Sequence, residues 1–245
     1  MTVPFPATST GRRPLVISFS GLDGSGKSTQ INNVRDQLTA MGYRVKVLAF
    51  WDNVVVGTKY REGFVHKVYK SEQGIGAPDK PVNRRDKNVR KWYLNLARHG
   101  LYCADALHLR QVIAGQALSD VHILIMDRYI YDELANLPLQ NGASRSFARW
   151  LGTKFVPQPD LALLLDADPE AAHKRKPEYP VDFMQECRRW YHRLAELLGN
   201  ITIVPPLPLE ETKAAVMDHV HELLGFAAIA RPAAELRHSA NDAVA

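Results

Sequence analysis

Residues 21 to 28 read GLDGSGKS, a glycine-rich octet with one lysine and a terminal hydroxyl. The octet fits G-x-x-x-x-G-K-[ST] in full. Gly21, Gly24 and Gly26 let the backbone curl so that successive N–H groups point inward, a cradle suited to phosphate oxygens. Lys27 is the cation for β- and γ-phosphates, and the Ser28 hydroxyl can hold Mg2+. Ser25 and Thr29 complete the set of nucleotide-binding candidates. The octet follows an apolar run and opens a helical pattern, so a helix N-terminus adds its partial positive charge. A nucleoside triphosphate is the expected ligand.

Two other acids and one arginine stand where chemistry is done in such folds. The stretch ILIMDRYIYDELAN (123–136) puts Asp127 at the end of an apolar run, with Arg128 directly after it. If that run neighbours the strand before the glycine loop, both residues face the triphosphate, because ligands bind beyond the carboxyl ends of parallel strands. An arginine there is a natural fork for a second anion. Asp52 follows the run YRVKVLAF (43–50) and sits where a general base for a hydroxyl acceptor would belong; as a turn aspartate in WDN it would do no chemistry. A guanine-nucleotide switch is excluded by the absence of N-K-x-D. A motor ATPase is disfavoured because Arg128, not a second acid, follows Asp127.

The elements that must position these residues follow from periodicity. PLVISFS (14–20), YRVKVLAF (43–50), HILIMD (122–127), DLALLLD (160–166) and NITIV (200–204) read as five strands. Helical spacing recurs between them: Ile31, Val34, Leu38 and Met41 in the first case, residues 83–116 in the longest. Apolar strands alternating with helices predict an α/β fold of the P-loop nucleoside triphosphate hydrolase type, a five-stranded parallel sheet with helices on both faces. One domain is expected over 14–226, with a flexible leader over 1–13 and a disordered alanine-rich tail over 227–245. No apolar run is long enough to cross a bilayer. Cys103 and Cys187 read as free thiols, which fits a cytoplasmic setting. The formal net charge is +5, yet residues 59–98 alone carry eleven Lys/Arg against four Asp/Glu. That stretch is either a solvated helix face or a phosphate-collecting surface.

In GLDGSGKSTQ, MDRY, PDLALLLDADPEAA and RRWYHRLAE the chain resembles the thymidylate kinases among the P-loop nucleotide kinases, over roughly residues 14–224. The resemblance implies ATP as phosphoryl donor, Mg2+, and transfer to a nucleoside monophosphate, thymidylate or a related nucleotide. It implies that Lys27 and Ser28 serve ATP and Mg2+ and that Arg128 grips the acceptor phosphate. Asp23 and Asp127 would lie near the transfer point, with Asp127 also at the metal. The basic turn HKRKPEYP (173–180) falls at the family's lid, and Arg175 there, flanked by Lys174 and Lys176, is the candidate to cover the moving phosphoryl group. Departures from the family pattern cluster on the acceptor side. Ala106 stands where the family has a thymine-reading arginine, and Asp132, Glu133 and Asn136 follow D-R-Y where a serine, often a polar neighbour, and then a tyrosine are usual. Two alternatives stay open: a kinase with a hydroxyl acceptor that uses Asp52, and a nucleotide-gated nucleic-acid binder that uses 59–98. The expected partner is a small anionic acceptor, with no membrane and no nucleic acid, and a homodimer is compatible.

Overall fold

The computed structural model describes residues 13–56 and 92–242. The five apolar runs form five parallel strands: β1 (Leu15–Gly21), β2 (Val45–Ala49), β3 (Ile123–Asp127), β4 (Leu161–Leu165) and β5 (Thr202–Val204). Their order in the sheet is β2-β3-β1-β4-β5. The three central strands bury nearly every residue, because helices cover both faces and no side of a strand meets water. β2 lies at an edge and leaves Lys46 and Val47 exposed. This is the P-loop α/β arrangement expected from the strand pattern.

Helices link the strands in the order α1 (Lys27–Ala40), α2 (Phe50–Asn53), α3 (Trp92–Gln116), α4 (Ile130–Ala135), α5 (Gly142–Trp150), α6 (Pro169–Arg175), α7 (Val181–Leu198) and α8 (Leu209–Asp242). A π-turn, Leu151–Phe155, extends α5. On one face of the sheet α1 and α8 bury Ile31, Val34, Leu38, Val216 and Val220 against Ile17, Phe19 and Ile125. On the other face Phe50, Tyr102, Ala106, Leu109, Ile130 and Leu134 close over Val16, Leu124 and Met126. The pleat of β1 explains the division: Ile17 and Phe19 point one way, Val16 the other. By the same alternation Ser18 and Ser20 share the side of Val16, and both are buried.

Two features depart from sequence expectation. α4 is buried at all six positions, so its sequence carries no 3.6-residue polar period by which to recognise it. The backbone of α8 continues to Asp242, past residue 227 where a disordered tail is expected; alanine is the strongest helix former and the added segment is rich in it. The leader expected over 1–13, save its last residue, and most of the basic stretch 59–98 lie outside the described residues. Among the described residues no helix is long and apolar enough to cross a membrane. Cys103 and Cys187 are half-buried and in no disulfide among the described residues.

The topology fixes where a ligand belongs. β1 leads through α1 to β2, beyond β3, whereas β3 leads on to β4, beyond β1. The strand order therefore reverses at β1 and β3, and the crevice past their carboxyl ends is the binding position in sheets of this kind. Phe19 pairs in register with Asp127 across that boundary, so the residues after each strand emerge side by side.

Candidate functional site

The glycine loop leaves β1 at Gly21 and enters α1 at Lys27. Gly24 and Gly26 take φ of +80° and +91°, the left-handed region in which a side chain is strained. Gly24 is also crowded: a Cβ there would stand 2.5 Å from the carbonyl oxygen of Ala172 in α6. Lys27 is buried, and its Nζ donates to the carbonyls of Gly21 at 2.8 Å and Leu22 at 2.7 Å. Burial and the neighbouring Arg128 pull its pKa down to about 8, against the opposing pull of Asp23, Asp132 and Asp127. The Ser25 hydroxyl is buried without a hydrogen-bond partner among the described residues, while Ser28 and Thr29 are exposed on the first turn of α1.

Arg128 enters the same crevice from β3. Its backbone takes φ +66°, and its N–H donates to the Phe19 carbonyl at 2.9 Å. A non-glycine residue held there costs about 1–3 kcal/mol, and such positions concentrate at binding sites. The guanidinium donates to Asp23 at 2.5 Å and to Asp132 Oδ1 at 3.1 Å. Asp132 is nearly sealed from solvent and takes four donors. Oδ1 accepts from Arg128 and from the Tyr191 hydroxyl at 2.7 Å; Oδ2 accepts from the Ser20 hydroxyl at 2.7 Å and the Tyr129 N–H at 3.1 Å. Burial alone would oppose the charge on Arg128, but Asp132, Asp23 and Asp127 outweigh it and raise its pKa. Burial, then the Asp132 charge, push the Tyr191 hydroxyl well above its ordinary range, so it stays a proton donor.

The basic turn reaches the loop from the opposite side. α6 starts on Asp168, whose carboxylate accepts from the Ala171 N–H at 2.9 Å, with Pro169 next in sequence. At its other end Arg175 Nε donates to the Gly24 carbonyl at 2.8 Å. Below the loop Leu22, Ala167, Ala172 and Met184 form a small apolar cluster that joins it to α6 and α7. Asp166, after β4, accepts from Arg188 at 2.8 and 2.6 Å and lies 3.2 Å from His192 Nε2. Burial would raise the Asp166 pKa, but Arg188 and His192 hold it below the ordinary carboxylate value.

Of the residues singled out in sequence, Lys27, Asp23, Arg128 and Arg175 converge on one loop, with Asp127 directly before Arg128. Asp52 does not join them. It stands exposed on α2 after β2, and β3 intervenes between that strand and β1. Ala106 is fully buried in the apolar core, Glu133 is buried on α4, and the Asn136 amide donates to the Asp132 carbonyl at 2.7 Å. Ser20, Asp132 and Tyr191 had no assigned role. The Arg128–Asp132 pair at i, i+4 was the one local signal available for them.

The donor set suits Mg2+ held chiefly through phosphates and water. Among the described residues no group of three or more His, Cys, Asp or Glu could cage a metal. An exposed hydroxyl at Ser28 and a carboxylate at Asp127 would fit the modest protein contribution that a hard, well-hydrated cation takes. Two buried or half-buried cations in one crevice, Lys27 and Arg128, can receive two separate anionic groups.

A thymidylate kinase family model matches residues 88–216 of the chain. A probable thymidylate kinase of Archaeoglobus fulgidus is 24% identical over 219 residues, 86% of this chain and 97% of that protein. A thymidylate kinase of Bifidobacterium longum subsp. infantis is 31% identical over 178 residues, 71% of this chain and 67% of that protein. A probable thymidylate kinase of Pyrococcus horikoshii is 27% identical over 227 residues, 87% and 100% of the respective lengths.

Proposed function

The chain belongs to the thymidylate kinase family, and from that premise we propose that it transfers the γ-phosphoryl group of MgATP to thymidylate or a closely related nucleoside monophosphate. The enzyme is an ATP-dependent nucleoside monophosphate kinase. The observation that carries the reading is the shared crevice of Lys27 and Arg128: the Arg128 charge helps to lower the Lys27 pKa, and the two cations follow different strands, β1 and β3.

The triphosphate lies along the glycine loop, and its β- and γ-oxygens take Lys27 Nζ from the carbonyls of Gly21 and Leu22. That exchange replaces neutral acceptors by charged ones, which favours the protonated amine. Ser28 and Asp127 would hold Mg2+, which would supply neutralising charge for the phosphates. Arg128 receives the acceptor phosphate, and the half-exposed Asp23 is the partner that gives way. Arg175 leaves the Gly24 carbonyl to cover the phosphoryl group in flight, where a charge that strengthens in the transition state raises turnover. A phosphate acceptor needs no proton removed by the protein; orientation and neutralisation suffice.

A hydroxyl acceptor and a nucleic-acid partner are not favoured by the family. Two variants test the first point. Arg128→Ala should raise the acceptor KM sharply, with a loss of about 2–5 kcal/mol in kcat/KM. Asp52→Asn should stay within about twofold of wild type, since no hydroxyl proton has to be taken. An Asp52 effect far larger than the Arg128 effect would overturn the monophosphate assignment.

A further inference from the structure

Two carboxylates hold Arg128, and they are not equivalent. Asp23 sits on the glycine loop with its side chain 26% exposed, whereas that of Asp132 is 4% exposed. The four donors that Asp132 accepts come from three parts of the fold: Ser20 in β1, Arg128 and the N–H of Tyr129 in the turn after β3, and Tyr191 in α7. Asp132 therefore has no freedom to turn away when a ligand arrives. Asp132 takes Nη1 and Asp23 takes Nη2 of the guanidinium, whose five N–H donors outnumber these two bonds.

We propose that Asp132 is a positioning residue for the acceptor site: a fixed, buried carboxylate that locks the Arg128 guanidinium before an anionic acceptor binds, and that ties it through Tyr191 to the helix following the basic turn. This rests on the monophosphate kinase reading. An arginine side chain has many rotamers, and one already fixed loses none of that freedom on binding. Left without Asp132, the guanidinium would retain Asp23 alone, a partner that must itself be displaced by the acceptor. The Tyr191 hydroxyl also makes the arrangement directional. Its proton goes to Oδ1, the oxygen that Arg128 shares, so a movement of α7 is transmitted to the arginine through one atom.

The test uses the full-length enzyme, ATP, Mg2+ and its best monophosphate acceptor. Asp132→Asn keeps the shape but turns an amide N–H2 toward groups that are all donors; Asp132→Ser removes the charge and can both donate and accept. In either variant the acceptor KM should rise about tenfold while the ATP KM stays within about twofold. Repeated in an Arg128→Ala background, the same substitutions should change the acceptor KM by less than about twofold, because a residue acting through Arg128 has nothing left to act on. An unchanged acceptor KM, or an equal factor in both backgrounds, would overturn the proposal. So would failure of both variants to fold, which would assign Asp132 to the core. A wild-type enzyme that turns over no monophosphate would instead defeat the parent reading, and the two failures are distinguishable.

Discussion

Gly24→Ala and Gly26→Ala form a matched pair, because the backbone strain is similar and the surroundings are not. Both positions have φ near +80° to +91°. An L-residue there costs about 1–2 kcal/mol. At Gly26 nothing lies within 4 Å of the added methyl, so the conformational cost is the whole effect. At Gly24 the methyl would meet the Ala172 carbonyl oxygen at 2.5 Å, its carbon at 3.1 Å and Cα at 3.3 Å. Those atoms are backbone of α6 and cannot swing aside as a side-chain tip could, so overpacking adds about 1–3 kcal/mol. The unliganded protein should thus lose about 2–5 kcal/mol with Gly24→Ala and only about 1–2 with Gly26→Ala. Each kcal/mol lowers Tm by about 2–4 °C in a chain of this size. Thermal and urea unfolding of the two variants without nucleotide reads the difference. The strain has to be relieved by parting the loop from α6, which also pulls the Gly24 carbonyl from Arg175. Equal destabilisation of the two variants, or a smaller loss at Gly24, would refute the claim that the loop is packed directly on the helix that carries the basic turn.

Lys27→Ala should abolish phosphoryl transfer in a protein that keeps its circular dichroism spectrum; near-normal turnover would remove the assignment of Lys27 to the triphosphate. The Lys27 pKa, lowered to about 8, means that folding is disfavoured by this group below pH 8 and that the penalty fades toward 10.5. Nucleotide binding needs the charged amine, so ATP affinity should be flat below pH 8 and fall by up to about tenfold per unit above it, with proton uptake seen by calorimetry in buffers of different ionisation enthalpy. Affinity unchanged to pH 9.5 would contradict this. Arg175→Ala should lower kcat about 10²–10³-fold with ATP affinity within several-fold, and the reverse pattern would make it a ground-state ligand. Single-stranded DNA should bind weakly at physiological salt, and a tight complex under those conditions would speak for the nucleic-acid alternative.

Much of this arrangement is legible in sequence where local pattern and function coincide. The octet at 21–28 dictates both the loop and its ligand. The continuous apolar runs of β1, β3 and β4 dictate strands covered on two sides, and those of β1 and β3 deliver Asp127 and Arg128 to the crevice. What escapes is tertiary. Tyr191 meets Asp132 across 59 residues of chain, and Ser20 meets it across 112, so no window of sequence contains the cluster that holds Arg128. Asp132 reads locally as one more polar residue after D-R-Y, and only burial reveals that four donors converge on it. Asp52 is a different case. Its position after a strand points to chemistry in sequence, and only the sheet order reveals that this strand is an edge strand with β3 between it and β1. The left-handed turn at Arg128 is unannounced as well, since arginine carries no preference for it.

The central claim is that the γ-phosphoryl group of ATP moves to a phosphate already on a nucleoside. It is tested most directly by incubating the protein with Mg2+, γ-radiolabelled ATP and each of a set of nucleoside monophosphates and matching nucleosides, then resolving the labelled products. The account predicts label in a nucleoside diphosphate, with thymidylate or a close relative the best acceptor, and none above background in products from free nucleosides. Label appearing on nucleosides while the monophosphates stay unlabelled would contradict it.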